Sequence, residues 1–110
     1  MALELADGYD IAWACGIFEA DGSVHPNKTS RWVQMRLTLK MTDQDIVDRF
    51  DEIMGVGNTS QNGKTKSGKL IYEWSVGQTE AIKTILTAFW PYLGKRRRAR
   101  AIELGFKPPA

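Results

Sequence analysis

Apolar and polar positions along the chain alternate between helical and strand-like spacing. From about Tyr9 to Asp21, Ile11, Trp13, Ala14, Ile17 and Phe18 recur at helical intervals. Asp7 or Asp10 can cap the start of this segment, and Gly22 releases the chain. Ser23 to Lys40 reads as a hairpin. In its second strand, Val33, Met35, Leu37 and Leu39 alternate with Trp32, Gln34, Arg36, Thr38 and Lys40, so period two sends the two sets to opposite faces. A second helix is predicted from Asp43 to Met54, with Thr42 as its cap and Ile46, Val47, Phe50, Ile53 and Met54 as its apolar stripe. Gly55 and Gly57 end it. A second hairpin follows. One strand covers about Val56 to Asn62, a lysine-rich loop lies between Asn62-Gly63 and Ser67-Gly68, and the return strand is Lys69 to Val76. A third helix runs from about Thr79 to Trp90, where Pro91 breaks it. A last helix covers about Lys95 to Leu104. The order α-β-β-α-β-β-α-α predicts an α+β fold, a four-stranded antiparallel sheet with helices on one face.

At 110 residues the chain is expected to form one domain, spanning 1–110, with a single modest core. No apolar run is long enough to cross a bilayer. The acidic N-terminus does not read as a secretory signal. An intracellular, cytoplasmic protein with no membrane association is therefore expected. The lone Cys15 cannot form an intramolecular disulfide, and its apolar helical setting marks it as a small core residue.

The net charge of +2 hides an asymmetry. Lys95, Arg96, Arg97, Arg98 and Arg100 supply five of the fifteen basic residues, and the remainder of the chain carries −3. Local clusters of this kind meet phosphate backbones. They also occur as solvated basic helix faces.

The sheet face left open by the helices is expected to carry Ser23, His25 and Asn27, then Gln34, Arg36, Thr38 and Lys40. Asn58, Ser60 and Asn62 follow on the third strand, and Ile71, Glu73 and Ser75 on the fourth. A twisted β surface fits the DNA major groove, and Gln, Asn, Arg and Lys read base edges there. A solvated antiparallel face would show the same alternation. It explains less well why Glu73 is the one acid among these positions. Trp32 is the odd aromatic of the set.

The stretch Ala14-Cys15-Gly16-Ile17-Phe18-Glu19-Ala20-Asp21-Gly22 carries the most chemistry. A helix with small residues at Gly16 and Ala20 ends in an acid, a glycine and a strand. An acid at a helix C-terminus opposes the macrodipole, so function accounts for Asp21 better than helix stability does. The stretch resembles the signature of the LAGLIDADG homing endonucleases. Gly16, Ala20, Asp21 and Gly22 match outright, Ile17, Phe18 and Glu19 are conservative replacements, and Ala14 and Cys15 stand for Leu and Ala. The element order, the Gly55-Val56-Gly57 break and the Pro91-Tyr92-Leu93 turn extend the resemblance from about Ile11 to Glu103.

The resemblance implies a site-specific endonuclease that works on double-stranded DNA, not on a small molecule, in intron homing. It would hydrolyse phosphodiesters across the minor groove of a long near-palindromic site and leave short 3′ overhangs. One motif copy implies a homodimer, packed through Ala12, Gly16, Glu19 and Ala20, with Glu19 also structural. It implies that Asp21 binds metal, aided by the backbone carbonyl of Ala20. Mg²⁺ is the implied ion, with Mn²⁺ substituting and Ca²⁺ binding without supporting cleavage. Asp43 falls where family members place a water-orienting residue, although an Asp there can also simply begin a helix. Arg96, or Lys95 with a one-residue shift, falls where the family usually has a lysine. Arg at that place stabilises charge but does not shuttle protons. A catalytically inactive DNA-binding module and an intron RNA maturase of the same fold are the alternatives.

Overall fold

The computed structural model describes residues 2–27 and 34–109. The expectations for Trp32 and Val33 lie outside these residues. The chain opens on one turn of 3-10 helix, Ala2–Leu5, which the sequence reading did not anticipate and which buries Leu3. The order is then α1 (Gly8–Asp21), β1 (Gly22–Asn27), β2 (Gln34–Met41), α2 (Gln44–Met54), β3 (Asn58–Lys64), β4 (Leu70–Val76), α3 (Thr79–Phe89) and α4 (Lys95–Glu103). The strands form one antiparallel sheet ordered β1-β2-β4-β3. The predicted α+β order holds.

Period-two alternation sends Met35, Leu37 and Leu39 of β2 and Trp74 and Val76 of β4 into the core. Phe18 and Cys15 of α1, Val47 and Phe50 of α2, and Ile85 and Phe89 of α3 meet them there. Phe50 lies at the centre, with ring centroids 4.9 Å from Trp74 and 6.4 Å from Phe89 in edge-on geometries that aromatic quadrupoles favour. The buried Trp74 indole N–H donates to the Val56 carbonyl at 2.9 Å.

The element ends differ from the sequence reading by small, explicable amounts. Asp7 caps α1, its carboxylate accepting the Asp10 N–H at 2.8 Å. In α2, Asp43 holds the cap position expected for Thr42, yet its carboxylate makes no capping bond. β3 starts at Asn58, after Gly57 turns the chain with φ of +97°. A side chain at Gly57 would meet the Ser75 carbonyl oxygen at 2.7 Å, so the close passage of β4 also requires glycine. The register of β3 on β4 shifts between Gln61 and Lys64, and this bulge carries the strand beyond Asn62. After α4, Phe106 folds back and packs its ring 5.2 Å from that of Trp90.

Candidate active site and nucleic-acid interface

Helix α1 is apolar around most of its circumference, which is the pattern of a helix covered on two sides. Its inner side buries Ala14, Cys15 and Phe18. Its outer side leaves Tyr9, Ala12, Gly16 and Ala20 exposed. Leu5 and Tyr9 are 90% and 89% exposed, the most exposed large apolar residues described. Among the described residues, a Cβ at Gly16 would meet nothing within 4 Å, so none of them gives this glycine a packing reason. Small residues at 12, 16 and 20 form a flat strip against which a second helix backbone can lie closely.

Asp21 ends this helix. It is exposed, and among the described residues no hydrogen bond or ion pair engages its carboxylate. No group of three metal-ligating side chains occurs among those residues. Among the described residues, the Asp21 carboxylate and nearby backbone carbonyls are hard oxygen donors of the kind Mg²⁺ accepts.

The turn around Asp21 is built tightly. Gly22 N–H bonds to the Phe18 carbonyl. A Cβ on Gly22 would lie 2.5 Å from that carbonyl oxygen and 2.4 Å from the Phe18 ring, so only glycine lets α1 pass directly into β1. Glu19 Oε1 accepts the Gly94 N–H at 2.6 Å, and its Oε2 lies 3.7 Å from Arg97 Nη1. Arg97 Nη2 donates to the Gly22 carbonyl. The N-terminus of α4 is thereby tied to the C-terminus of α1, and this places Lys95 and Arg96 in the same neighbourhood as Asp21. Both are exposed. Asp43 belongs to the same end of the sheet. Gly22 of β1 pairs with Leu39 of β2, and Asp43 follows a few residues later, exposed at the start of α2.

The basic cluster divides in two. Arg97, Arg98 and Arg100 are partly buried and donate to the backbone carbonyls of Gly22, Trp90 and Val24 respectively. Lys95 and Arg96 alone of the five cations are exposed. Neither sequence alternative, a phosphate-binding run or a solvated face, describes the whole cluster. The sequence reading assigned Arg97 no role of its own. Its four-residue spacing with the buried Ala101 was the available signal that it faces inward.

Strand pairing brings the open-face positions together. Register places Ser23, Thr38, Ser75 and Asn58 in one row across all four strands, and Lys40, Glu73 and Ser60 in another. His25 lies opposite Arg36, and Asn27 opposite Gln34. Ile71 shares the face with Glu73 and Ser75 by alternation, and Asn62 lies at the bulge. The long side chains are tied across the strands. Arg36 Nη1 donates to Ser75 Oγ at 3.2 Å, Lys40 lies 3.5 Å from Glu73, and Thr38 Oγ1 is 3.4 Å from His25 Nε2. Thr38 is only 7% exposed, so it supports the face more than it projects from it. The three strand-four members are half-buried, while Ser60 and Asn58 are exposed.

The Cys15 thiol has no place in this chemistry. Burial, then the Glu19 carboxylate, push its pKa up to about 12, against an opposing pull from Arg97. A groove of about 430 Å³ is lined by Met35, Ile82, Leu104 and Phe106 among others, and contains none of the candidate residues.

A one-motif, two-layer α+β domain with a polar sheet face and an acid at the end of an exposed small-residue helix defines a class. The chain has the fold of the LAGLIDADG homing endonucleases. The homing endonuclease I-CvuI, solved with its target in the presence of calcium, is 25% identical, with a TM-score of 0.68 over 89% of this chain and 67% of that one. The archaeal intron-encoded I-Vdi141I, complexed with DNA, is 13% identical, with a TM-score of 0.67 over 86% of this chain and 64% of that one. The group I intron-encoded I-CeuI, also complexed with DNA, is 8% identical, with a TM-score of 0.65 over 89% of this chain and 53% of that one. This chain therefore spans about two thirds of I-CvuI and less of the other two. No protein-family model and no curated protein sequence matches the chain. Among the described residues, no helix is long and apolar enough to cross a membrane.

Proposed function

We propose that the chain is a homodimeric, divalent-metal-dependent DNA endonuclease. The observation that carries this reading is the exposed Asp21 carboxylate at the end of the exposed strip Ala12, Gly16 and Ala20. Packing two such strips together covers the outer faces of both α1 helices, including Tyr9. It also brings two Asp21 carboxylates toward one axis, where they would share their oxygens. The DNA complexes of similar fold support nucleic acid as the partner, and the calcium and magnesium present with I-CvuI support divalent metal use.

In this reading the open sheet faces of two copies lie in major-groove segments on either side of a near-palindromic site. Arg36, Lys40, Asn58 and Ser60 reach base edges. Lys95 and Arg96 stand beside the scissile phosphates, where fixed cations stabilise the charge that develops on phosphate oxygens. Asp21 and the Ala20 carbonyl hold Mg²⁺, and Asp43 accepts a hydrogen bond from the attacking water. When bound, the ion supplies Lewis acidity and lowers the pKa of water. Cleavage across the narrow minor groove leaves short 3′ overhangs.

The test is incubation with a randomised near-palindromic DNA library, with Mg²⁺ or with Ca²⁺ as a non-catalytic control, followed by sequencing of the ends. Recurrent ends with one fixed 3′ stagger, formed only with Mg²⁺, are expected. Selective DNA retention without any cutting would replace the nuclease with a binding module. Preference for structured RNA over duplex DNA would indicate a maturase.

A further inference from the structure

Ala20 and Asp21 lie between two residues that one guanidinium holds. Arg97 comes from α4, one turn before the buried Ala101, and its side chain is only 11% exposed. One terminal nitrogen donates to the carbonyl of Gly22, immediately after Asp21. The other lies 3.7 Å from the Glu19 carboxylate, immediately before Ala20. Its carbon lies 5.8 Å from the centroid of the Phe18 ring, one residue further back. The last turn of a helix frays unless something holds it, because its carbonyls have no intrahelical partners. Here the turn that presents Asp21 is pinned on both sides by one rigid planar group.

We infer that Arg97 is a positioning residue for Asp21 and the Ala20 carbonyl, an assignment that rests on the nuclease reading above. It touches neither phosphate nor metal. It fixes the backbone from Glu19 to Gly22, so that the carboxylate and the carbonyl before it keep one orientation toward the dimer axis. Groups that orient metal ligands typically change metal affinity or activity about 10- to 100-fold when removed. Lysine is a poor substitute, since a point charge does not bridge a carbonyl and a carboxylate in a fixed fork. A purely structural arginine would behave differently, because its loss would lower thermal stability and leave the ligands of the surviving folded protein unchanged.

The test compares the parent, Arg97→Met, Arg97→Lys and Asp21→Asn as full chains on target DNA. Four quantities are read: thermal stability, DNA affinity without metal, Mn²⁺ affinity of the DNA complex by electron paramagnetic resonance, and hydrogen exchange of the Gly22 amide. For Arg97→Met we expect metal-free DNA affinity within about 2-fold of the parent, Mn²⁺ affinity about 10- to 100-fold weaker, and faster Gly22 exchange. Arg97→Lys should recover stability further than it recovers Mn²⁺ affinity, and it carries the test if the methionine variant does not fold. A folded variant with a lower melting temperature but parental Mn²⁺ affinity and parental Gly22 exchange overturns the inference. Should the parent bind Mn²⁺ no better than Asp21→Asn, the metal reading itself fails. Gly22 exchange then decides the clamp alone: faster exchange in the variant supports it, and unchanged exchange overturns it.

Discussion

Glu19 Oε1 accepts the backbone N–H of Gly94 at 2.6 Å, across 75 positions of sequence. Gly94 starts α4 without a side chain to cap it, and Glu19 supplies the missing acceptor from another helix. A carboxylate is unfavourable at the end of its own helix, α1, and favourable at the start of α4, where unpaired N–H groups gather. Glu19→Ala is expected to cost about 1–2 kcal/mol, as losses of helix caps do, whereas Glu19→Gln keeps an acceptor and costs less. Urea denaturation of the two variants measures the difference, and equal stabilities would show that the contact contributes nothing.

The strip on α1 predicts a separation of folding from assembly. No described residue crowds Gly16, so Gly16→Leu should keep or raise protomer stability, replacing a glycine that costs about 1 kcal/mol in a helix interior. The same leucine would hold two helix backbones apart. Light scattering should then report a monomer for the variant and a dimer for the parent. A dimeric Gly16→Leu protein would move the interface elsewhere.

Asp21→Asn tests the metal assignment with little disturbance to the fold, since its carboxylate is exposed and engaged by no described residue. Cleavage should fall by at least about 100-fold, a loss of roughly 2.7 kcal/mol or more in transition-state stabilisation. Melting temperature and metal-free DNA affinity should stay at the parental values. Cutting at the parental rate would remove Asp21 from the chemistry.

On the sheet face, Glu73 lies 3.5 Å from Lys40 and must release it before Lys40 can meet DNA. Glu73→Gln removes the competing anion. Affinity for unrelated duplexes should rise, and the slope of log affinity against log salt should steepen by up to about one phosphate contact. The ratio of target to non-target affinity should fall. Unchanged salt dependence would place Lys40 away from the DNA.

Cys15 provides a pH signature. Its folded pKa, pushed up to about 12 from an ordinary 9.0, lies above the unfolded value. Its contribution to stability is therefore fully present below about pH 9 and is lost as pH rises toward 12. Denaturation series from pH 8 to pH 11 should show a shallower alkaline decline for Cys15→Ala than for the parent, whatever the baseline offset from the lost side chain. Maleimide labelling of the native parent at pH 8 should be slow and should accelerate on unfolding.

The sequence by itself determined the element order, because each segment buries one face and side-chain period reports which. The alternation of Met35, Leu37 and Leu39 against Arg36, Thr38 and Lys40 fixed both the core and the open face of β2. The same alternation gave the open-face positions of the other strands, whereas the order β1-β2-β4-β3 and the rows it aligns were decided by strand pairing. The Gly16, Ala20, Asp21 and Gly22 pattern singled out the helix end before any coordinates. Other features depended on residues far apart in the chain. Which arginines of the 95–100 run face inward was decided by the packing of α4 against the end of α1, since carbonyls left free at Gly22, Val24 and Trp90 require donors that local sequence does not specify. The pinning of Glu19 and Gly22 by Arg97, and the capping of Gly94 by Glu19, arise only when α4 returns to α1. Charge, composition and period are local quantities, whereas the pairing of a buried donor with its acceptor is settled by tertiary contact.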